Sequence, residues 1–455
     1  MSTLERLDQI SGSTALRTDH YELTMIDAAL GSGVARHRAV FEVFSRSLPA
    51  GRRYGVVGGT ARLLDALEHF RFDPDQLEWA AARGIVSPEA LDHLAGWTFD
   101  GDIDGYREGD VYFPGSPVLT VEADFASAVV LETLCLSIFN HDSAVLAAAS
   151  RMRTAAGDHR LLEAGSRRTS DATASAASRA AWIGGFDATS NLEAGFLYGV
   201  PTGGTAAHAF TLAHADERLA FEAQVARFGP ATTFLVDTYD TATGVRHAIE
   251  ASGGALAQVR IDSGDLVADA VIARRLLDEA GATQAQIMVS GDLDEFRIAE
   301  MRTAGAPIDS YEVGKHLVTG SGHPTAGFVY KLVAIADAPG AVHPLRPVAK
   351  RAQGKGNVGG RKVALRQLDA DGIARAERTV PFAPSSNGAS SNGAGPPSDV
   401  RLLQVPLVRR GVRVDHSDAA DARRVHEAAR AELGPDALDL TPGPPALVVD
   451  VALPA

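Results

Sequence analysis

The second half of the chain shows the most regular alternation of apolar and polar positions. From residue 233 onward, four short apolar runs each end on a polar or glycine-containing segment, with helical patterns between them. The runs and the segments that follow them are Thr233–Val236 before Asp237, Gln258–Ile261 before Asp262-Ser263-Gly264-Asp265, Gln286–Ser290 before Gly291-Asp292, and Ser310–Val313 before Gly314-Lys315. This repeat predicts a parallel βα barrel or a doubly wound sheet. Ligands bind at the carboxyl ends of the strands in both architectures, so we expect the active site there.

The first part of the chain has a mixed pattern. Thr18 or Asp19 can cap a helix whose apolar positions begin at Leu23, and residues 40–44 alternate as a strand does. Residues 61–70 have a helical apolar face, and residues 108–121 read as two short strands around a Pro/Gly turn. These elements predict a small α+β domain.

A long apolar stretch, Ala126–Phe139, predicts a core helix that Asn140-His141 interrupts before a second helix runs towards Ala156. We therefore expect an α/β protein with an N-terminal α+β domain at residues 10–125 and an irregular parallel βα-barrel domain at residues 126–340. A C-terminal extension at residues 341–455 is expected to pack near the smaller domain. Within it, residues 383–398 are rich in Ser, Asn, Gly and Pro and are predicted to be disordered.

Composition narrows the class of protein. The 455 residues are enough for two or three domains, and 45% hydrophobic with 22% charged residues is ordinary for a soluble globular enzyme. A net charge of −14 argues against nucleic acid or an anionic membrane as partner. The single cysteine, Cys135, excludes an intrachain disulfide and a cysteine-based zinc site. The N-terminal sequence has no apolar signal-peptide core, so we expect a cytoplasmic protein.

The segment Gly184–Asn191, together with Gly203–Phe210, is the most informative motif. It combines glycine pairs with hydroxyl side chains and ends on His208, which stands between alanines. Glycines allow the backbone to approach a ligand closely, so the pattern suits a phosphate-bearing substrate. A lone histidine is more often structural than catalytic, so spacing alone assigns His208 no role.

The residues of this motif resemble those of a known enzyme family, and this resemblance supports a role for His208. Ile183–Asn191, Leu197–Pro201 and Gly204–Phe210 resemble the central signature of the nicotinate phosphoribosyltransferases, and the resemblance extends over roughly residues 15 to 365. It implies an ATP-dependent ligase with glycosyltransferase chemistry, which needs Mg²⁺. Nicotinate, 5-phosphoribosyl 1-diphosphate and ATP would give nicotinate mononucleotide, diphosphate, ADP and phosphate, the first step of NAD synthesis from nicotinate. In the family, the histidine at the position of His208 is phosphorylated during turnover.

The resemblance also implies roles for further residues. Tyr21 would stack on the pyridine ring, while Thr205 and Arg260 would hold nicotinate. Asp262 and Asp265 are candidates to bind Mg²⁺, directly or through water. A homodimer is expected, in which Arg46 completes the site of the neighbouring subunit. The residues expected to bind the sugar diphosphate or ATP are Arg46, Arg167, Arg168, Asp262, Gly264, Asp265, Gly291, Asp292, Gly314 and Lys315.

The sequence departs from the family pattern in places, and alternatives stay open. Glu312-Val313-Gly314-Lys315 stands where the family usually has Gly-Val-Gly-Thr. A basic glycine-rich segment that contains Lys350 and Lys355 resembles another family stretch, but the Ser and Pro of that stretch are replaced here. The nicotinamide enzyme on the same fold is one alternative, although its acid near Ser190 is lacking here. A Schiff-base βα-barrel lyase using Lys315 and a catalytically silent ligand-binding relative are the others.

Overall fold

The computed structural model describes residues 12–341, 344–350, 356–382 and 399–451. The predicted disordered insert at 383–398 and Lys355 lie outside the described residues. The chain forms two compact units, the first made of Met1–Ala147 with His323–Ala455 and the second of Ala148–Gly322.

Helices occur in both units. In chain order they are α1 (His20–Ser32), α2 (Thr60–Glu68), α3 (Pro74–Ala82), α4 (Pro88–Ala95), α5 (Phe125–Val129), α6 (Glu132–Ala156), α7 (Asp171–Ile183), α8 (Leu192–Tyr198), α9 (His208–Leu212), α10 (Glu217–Phe228), α11 (Thr241–Ser252), α12 (Leu266–Glu279), α13 (Glu295–Thr303), α14 (Lys315–Val318), α15 (Ala419–Ala431) and α16 (Pro435–Leu438). Short 3₁₀ turns cover Ala15–Arg17, Val34–Arg36 and Ser166–Arg168.

The strands belong to one parallel sheet and to three other sheets. They are β1 (Arg38–Ser45), β2 (Gly55–Val56), β3 (Asp102–Tyr106), β4 (Val111–Tyr112), β5 (Leu119–Asp124), β6 (Arg160–Glu163), β7 (Ala188–Thr189), β8 (Thr233–Leu235), β9 (Gln258–Ile261), β10 (Gln286–Val289), β11 (Ser310–Val313), β12 (Phe328–Ile335), β13 (Arg346–Pro347), β14 (Lys362–Leu368), β15 (Ala374–Pro381), β16 (Val400–Leu402), β17 (Gln404–Arg409), β18 (Val412–Arg413) and β19 (Val449–Val451).

The first unit is built on a seven-stranded antiparallel sheet with the order β13-β12-β1-β5-β3-β17-β18. Strand β1 lies between β12 and β5, and Phe41 on β1 stacks on Tyr330 of β12 with ring centroids 4.8 Å apart. A four-stranded sheet, β16-β14-β15-β19, and the pair β2-β4 complete this unit. Strands from both ends of the chain therefore share one sheet.

Helix α6 differs from the sequence prediction. Asn140 and His141 do not interrupt it, because the helix runs unbroken from Glu132 to Ala156, and the break falls earlier, after α5. The Asn140 side chain accepts a hydrogen bond from the backbone N–H of Phe328 (2.8 Å) and donates to the carbonyl of Phe328 (3.3 Å). An asparagine amide engaged in this way does not compete for the helix backbone, so the helix continues.

The segment Phe125–Ala156 is long and apolar enough to cross a membrane by length and composition alone. However, 67% of its most apolar window is buried inside the protein, as in a core helix.

The second unit contains a six-stranded parallel sheet with the order β7-β6-β11-β10-β9-β8, which curls into part of a barrel. The chain forms β6 and β7 at one edge and then crosses to β8 at the other. It returns through β9 and β10 to β11, which pairs with β6. Helices α11, α12 and α13 lie between these strands, as the repeat predicts. The predicted fold class is confirmed.

Candidate active site

A cleft of about 430 Å³ lies at the carboxyl edge of the parallel sheet, within the range of small-molecule sites. Loops that follow four neighbouring strands form its walls, as expected for a parallel α/β sheet. Its lining residues are Ala164, Arg167, Arg168, Asp262, Ser263, Gly264, Leu266, Ser290, Gly291, Asp292, Arg297, Glu312, Gly314 and Lys315. We call it the main cleft.

Cationic side chains give the main cleft the character of an anion site. Arg167 and Arg168 are exposed on the 3₁₀ turn after β6, and Lys315 begins α14 after β11. Arg297, near the start of α13, also lines the cleft, and its Nη1 donates to Glu300 at 2.6 Å. Sequence reasoning missed Arg297 because it lies inside a helix and outside the matched motifs.

Lys315 forms an ion pair across the main cleft rim. Its Nζ lies 2.9 Å from Oδ1 of Asp292, and both side chains are largely exposed. The hydrogen bond from Lys315, followed by its charge, lowers the pKa of Asp292. Asp292 has a φ of 46°, which is uncommon for a residue with a side chain and stores local strain in this turn.

Gly291 brings two loops of the main cleft into close contact. Its φ is +105°, and a Cβ atom built there would lie 2.4 Å from the carbonyl oxygen of Asp262. Only glycine fits a backbone this close. The predicted importance of this glycine thus has a steric cause, which is independent of any ligand.

A second, smaller cleft of about 260 Å³ adjoins the main cleft and shares Ala164, Arg167 and Glu312 with it. We call it the small cleft. Its other lining residues are Leu162, Ser166, Ser190, Gly203, Gly204, Thr205, Ala206, Ala207 and Arg260. The structure therefore brings Thr205 and Arg260 together in one cleft, beside the neutral Ser190.

Arg260 is held by two neighbours. Its Nη1 donates to Thr205 Oγ1 at 3.1 Å and to Glu312 Oε2 at 3.0 Å. The side chains of Arg260 and Glu312 are only 10% and 11% exposed. Burial raises the pKa of Glu312 above its ordinary value, and the opposing effect of Arg260 only partly offsets it.

His208 pairs with a carboxylate that sequence reasoning did not assign to it. His208 Nε2 lies 3.1 Å from Oδ1 of Asp237, and the Asp237 side chain is 3% exposed. Oδ2 of Asp237 accepts hydrogen bonds from the backbone N–H of Asp262 (3.0 Å) and from the hydroxyl of Ser263 (2.6 Å). Asp237 thus ties the histidine to the loop that lines the main cleft.

The two aspartates predicted for Mg²⁺ have different surroundings. Asp262 accepts a hydrogen bond from the Ser290 hydroxyl and lines the main cleft. Asp265 caps helix α12, because its Oδ1 accepts from the backbone N–H of Ala268 at 3.1 Å. Across the described parts of the chain, no three His, Cys, Asp or Glu residues are grouped to hold a metal.

Glu163 fixes the loops beneath the small cleft and was also missed. It is fully buried, and its carboxylate accepts hydrogen bonds from Ser178 Oγ (2.8 Å), the Thr189 hydroxyl and the backbone N–H of Gly165. Its carbonyl accepts from the N–H of Ser190 at 2.7 Å. No polarity pattern in the sequence distinguishes such a buried anchor from a solvated glutamate.

Three predicted site residues belong to the first unit. Tyr21 is 43% exposed on α1, and partial burial followed by repulsion from Glu132 raises its pKa to about 12. Arg46 is exposed after β1 and lines a cleft of about 230 Å³ in that unit. Lys350 is exposed, and its backbone N–H donates to Asn357 Oδ1. Their predicted roles stay predictions.

The fold and the site together define a class of protein. Cations and glycine turns at the carboxyl edge of a parallel sheet, beside a histidine–aspartate pair, are typical of an enzyme that binds a phosphorylated small molecule. Residues 16–140 match the family model of the nicotinate phosphoribosyltransferase (NAPRTase) N-terminal domain.

Comparison with known proteins narrows this class to one family. Nicotinate phosphoribosyltransferase pncB1 of Mycobacterium tuberculosis is 51% identical over 444 residues, which cover 95% of this chain and 94% of that protein. Nicotinate phosphoribosyltransferase of Homo sapiens is 30% identical, with 87% and 86% covered. The crystal structure of human nicotinic acid phosphoribosyltransferase matches with a TM-score of 0.80 and 25% identity, covering 95% of this chain and 97% of that one. The chain belongs to the nicotinate phosphoribosyltransferase family, as its motifs indicate.

Proposed function

We propose that this protein is an ATP-coupled nicotinate phosphoribosyltransferase that makes nicotinate mononucleotide for NAD synthesis. One observation carries the proposal: the buried carboxylate of Asp237 hydrogen-bonds both to His208 and to Ser263. Ser263 lines the main cleft, which is also lined with cations. Family membership supports the reaction, and this pair supports the coupling to ATP.

The two clefts suit the two halves of the product. Arg167, Arg168 and Lys315 offer positive charge to the phosphates of the sugar donor in the main cleft. The small cleft offers a guanidinium, Arg260, and a hydroxyl, Thr205, to an aromatic acid. Because the clefts share a wall, a base in one can meet the ribose carbon held in the other.

Mg²⁺, which the family resemblance implies, fits these residues only as an ion held mainly by the substrate. Mg²⁺ is often bound by one or two carboxylates together with substrate phosphates, and Asp262 offers such a carboxylate in the main cleft. Asp265 is less suited, because it caps α12. When bound, the ion offsets charge on the departing diphosphate.

His208 acts as the phosphoryl carrier in this proposal. Asp237 accepts a hydrogen bond from the N–H at Nε2, so the ring lone pair lies on Nδ1. Nδ1 attacks the γ-phosphorus of ATP, an N–P bond forms, the P–O bond to ADP breaks, and ADP leaves. Asp237 stabilises the positive charge that develops on the ring. Water later cleaves the N–P bond and releases phosphate.

Isotope-labelled ATP tests this step. The wild type should form an acid-labile, base-stable phosphoprotein, and His208→Ala should form none while retaining some ATP-independent synthesis and its melting temperature. Absence of label on the wild type would support a catalytically silent relative. Label on folded His208→Ala would move the carrier role to another residue, with His214 the next candidate.

The remaining alternatives are separable by experiment. Turnover of nicotinate and of nicotinamide should be compared, and a clear preference for nicotinamide would contradict the proposal. A lyase that uses Lys315 would need its amine free to attack a carbonyl, whereas the amine is in an ion pair with Asp292. Borohydride should therefore trap no carbonyl adduct on Lys315.

We also propose that the protein acts as a cytoplasmic homodimer in which Arg46 completes the site of the partner subunit. Symmetric dimers are the commonest assemblies. Apolar side chains with high exposure lie on α8 and α9, among them Leu192 (78%) and Leu212 (61%), as a contact surface requires. Mixing Arg46→Ala and His208→Ala proteins should restore activity after subunit exchange, and unrestored activity would contradict a shared site.

A further inference from the structure

Glu312 occupies the boundary between the main cleft and the small cleft. It lies on β11, near the carboxyl end of the strand, and lines both clefts. The family motif that this segment resembles usually has glycine at this position. The proposed function assigns it no task.

The hydrogen-bonding capacity of Arg260 is partly used by the protein. Nη1 donates to both Thr205 and Glu312, and the contact with Glu312 is an ion pair with little exposure. The Nε atom is buried and has no hydrogen-bond partner among the described residues. An incoming carboxylate therefore meets a guanidinium whose charge is already balanced.

We infer that Glu312 is a specificity-determining residue, whose carboxylate competes with that of nicotinate for Arg260 and so weakens the preference for an acidic base over a neutral one. This inference rests on the proposed function. It concerns the choice of base and leaves the phosphohistidine chemistry unchanged.

Elementary electrostatics gives the direction of the effect. Nicotinate must either share Arg260 with Glu312, which places two anions close together, or displace Glu312 from its partner. Both routes cost free energy, and a carboxamide suffers neither of them. A carboxylate can moreover accept a hydrogen bond from the N–H of a carboxamide.

The charges around Glu312 make the effect dependent on pH. Arg260 on β9 and Arg167 after β6 favour the carboxylate, while Asp262 after β9 disfavours it. Burial raises the pKa of Glu312, so it takes up a proton at a higher pH than a solvated glutamate does. The competition thus declines as the pH falls through this raised pKa.

The test compares wild type with Glu312→Gln at pH 7.5, using both bases as substrates. We expect KM for nicotinate to fall about tenfold with kcat little changed, since a tenfold change corresponds to only about 1.4 kcal/mol. Activity with nicotinamide should not rise, so the preference for nicotinate should increase by a similar factor. Benzoate and benzamide, which cannot react, serve as inhibitors: only benzoate should bind more tightly to the variant.

Two controls separate this role from a general effect. Glu279→Gln removes an exposed carboxylate of the same unit, outside both clefts, and should leave both base preferences unchanged. Glu312→Gly removes the carboxylate together with the side chain and should change the preference in the same direction. The gain over wild type should shrink as the pH is lowered, because wild-type Glu312 then becomes neutral.

The outcomes distinguish this inference from the proposed function. If wild type converts nicotinate but Glu312→Gln and Glu312→Gly keep its KM, its benzoate inhibition and its selectivity, the inference is wrong and the function stands. If wild type converts neither base, the proposed function and this inference fail together. A fall in kcat with an unchanged KM would also contradict competition for Arg260.

Discussion

At the scale of single residues, Asp237 uses both oxygens of its carboxylate. One oxygen accepts from His208, and the other accepts from the Asp262 backbone and the Ser263 hydroxyl. A buried carboxylate with several hydrogen bonds is well fixed, so it can orient an imidazole without reorganisation. We therefore regard Asp237 as the residue that sets the tautomer of His208.

Replacement of Asp237 by Asn tests this role. An amide can keep part of the hydrogen bonding, but it neither selects the tautomer nor stabilises an imidazolium, so phosphorylation should slow about 10²-fold or more. Rapid-quench measurement of phosphoprotein formation gives the rate, and the melting temperature reports the fold. His214→Gln, in the loop after α9, should label at the wild-type rate. An unimpaired rate in Asp237→Asn would remove Asp237 from the mechanism.

The sequence predicts individual site residues better than it predicts the residues that hydrogen-bond to them. His208 and Arg260 were predicted because a motif resembles a family, and the turns at Gly264 and Gly291 because polar residues follow apolar strands. The partners Asp237 and Glu312 come from other strands of the sheet. Pairing across a sheet depends on strand order and register, which short-range patterns do not encode.

At the scale of elements, helix α15 is fixed to the loop before β4 by a buried histidine. His426 Nδ1 contacts the carbonyl of Gly109 at 3.0 Å, and burial lowers the pKa of His426 to about 4. Because the histidine is neutral in the folded state, the unfolded chain, with an ordinary pKa near 6.5, binds the proton at higher pH. This contribution to stability is complete above pH 6.5 and is lost as the pH falls towards 4.

The His426 effect can be measured by urea unfolding. The full loss corresponds to about 3 kcal/mol at pH 4, given about 1.4 kcal/mol for each pH unit. His426→Asn keeps a donor for the Gly109 carbonyl but does not titrate, so its unfolding midpoint should change less between pH 7.5 and pH 5 than that of wild type. Equal changes in both proteins would show that other groups govern acid sensitivity.

Helices and strands were predicted correctly where a local apolar pattern defines them. The prediction was wrong where a contact with a distant part of the chain determines whether a helix continues. The repeating strands and helix α12 lie close to their predicted positions, because their apolar periodicity is regular. The predicted interruption at Asn140-His141 was wrong, because the Asn140 amide binds β12, a strand formed almost 190 positions later. Nothing within the helix sequence indicates this partner.

At the scale of the whole molecule, residues far apart in sequence meet in the first unit around Arg366. This side chain is fully buried and contacts Glu377 (2.8 Å), Glu432 (3.1 Å), Asp110 (3.4 Å) and the carbonyl of Val111 (2.7 Å). The sequence predicts residues 341–455 as a separate C-terminal extension. The structure groups them with Met1–Ala147, and the division at residues 125 and 340 stays a prediction.

Arg366→Met should destabilise the first unit strongly. The change removes the buried ion pair with Glu377, while Arg401 still pairs with Asp110 and Glu432. Loss of one partner of a buried ion pair typically costs about 3–5 kcal/mol. Arg375→Met removes an exposed ion pair with Asp369 nearby and should cost less than about 1 kcal/mol. Urea midpoints of both variants give the comparison. Adding Glu377→Gln to Arg366→Met should recover part of the loss, and equal stability of the two single variants would contradict this account.

The shared antiparallel sheet has a consequence for synthesis on the ribosome. The second unit is continuous, so it can fold once Gly322 has emerged, whereas β1 must wait for β12, and β3 for β17. At ordinary translation rates, residues 323–455, which are 133 residues (455 minus 322), take roughly ten seconds to make. Pulse proteolysis of stalled chains should find Ala148–Gly322 protected first. Strands β1 and β3, made before the second unit, are thus among the last parts to reach their native pairing, and during that interval they depend on chaperones or on their own solubility.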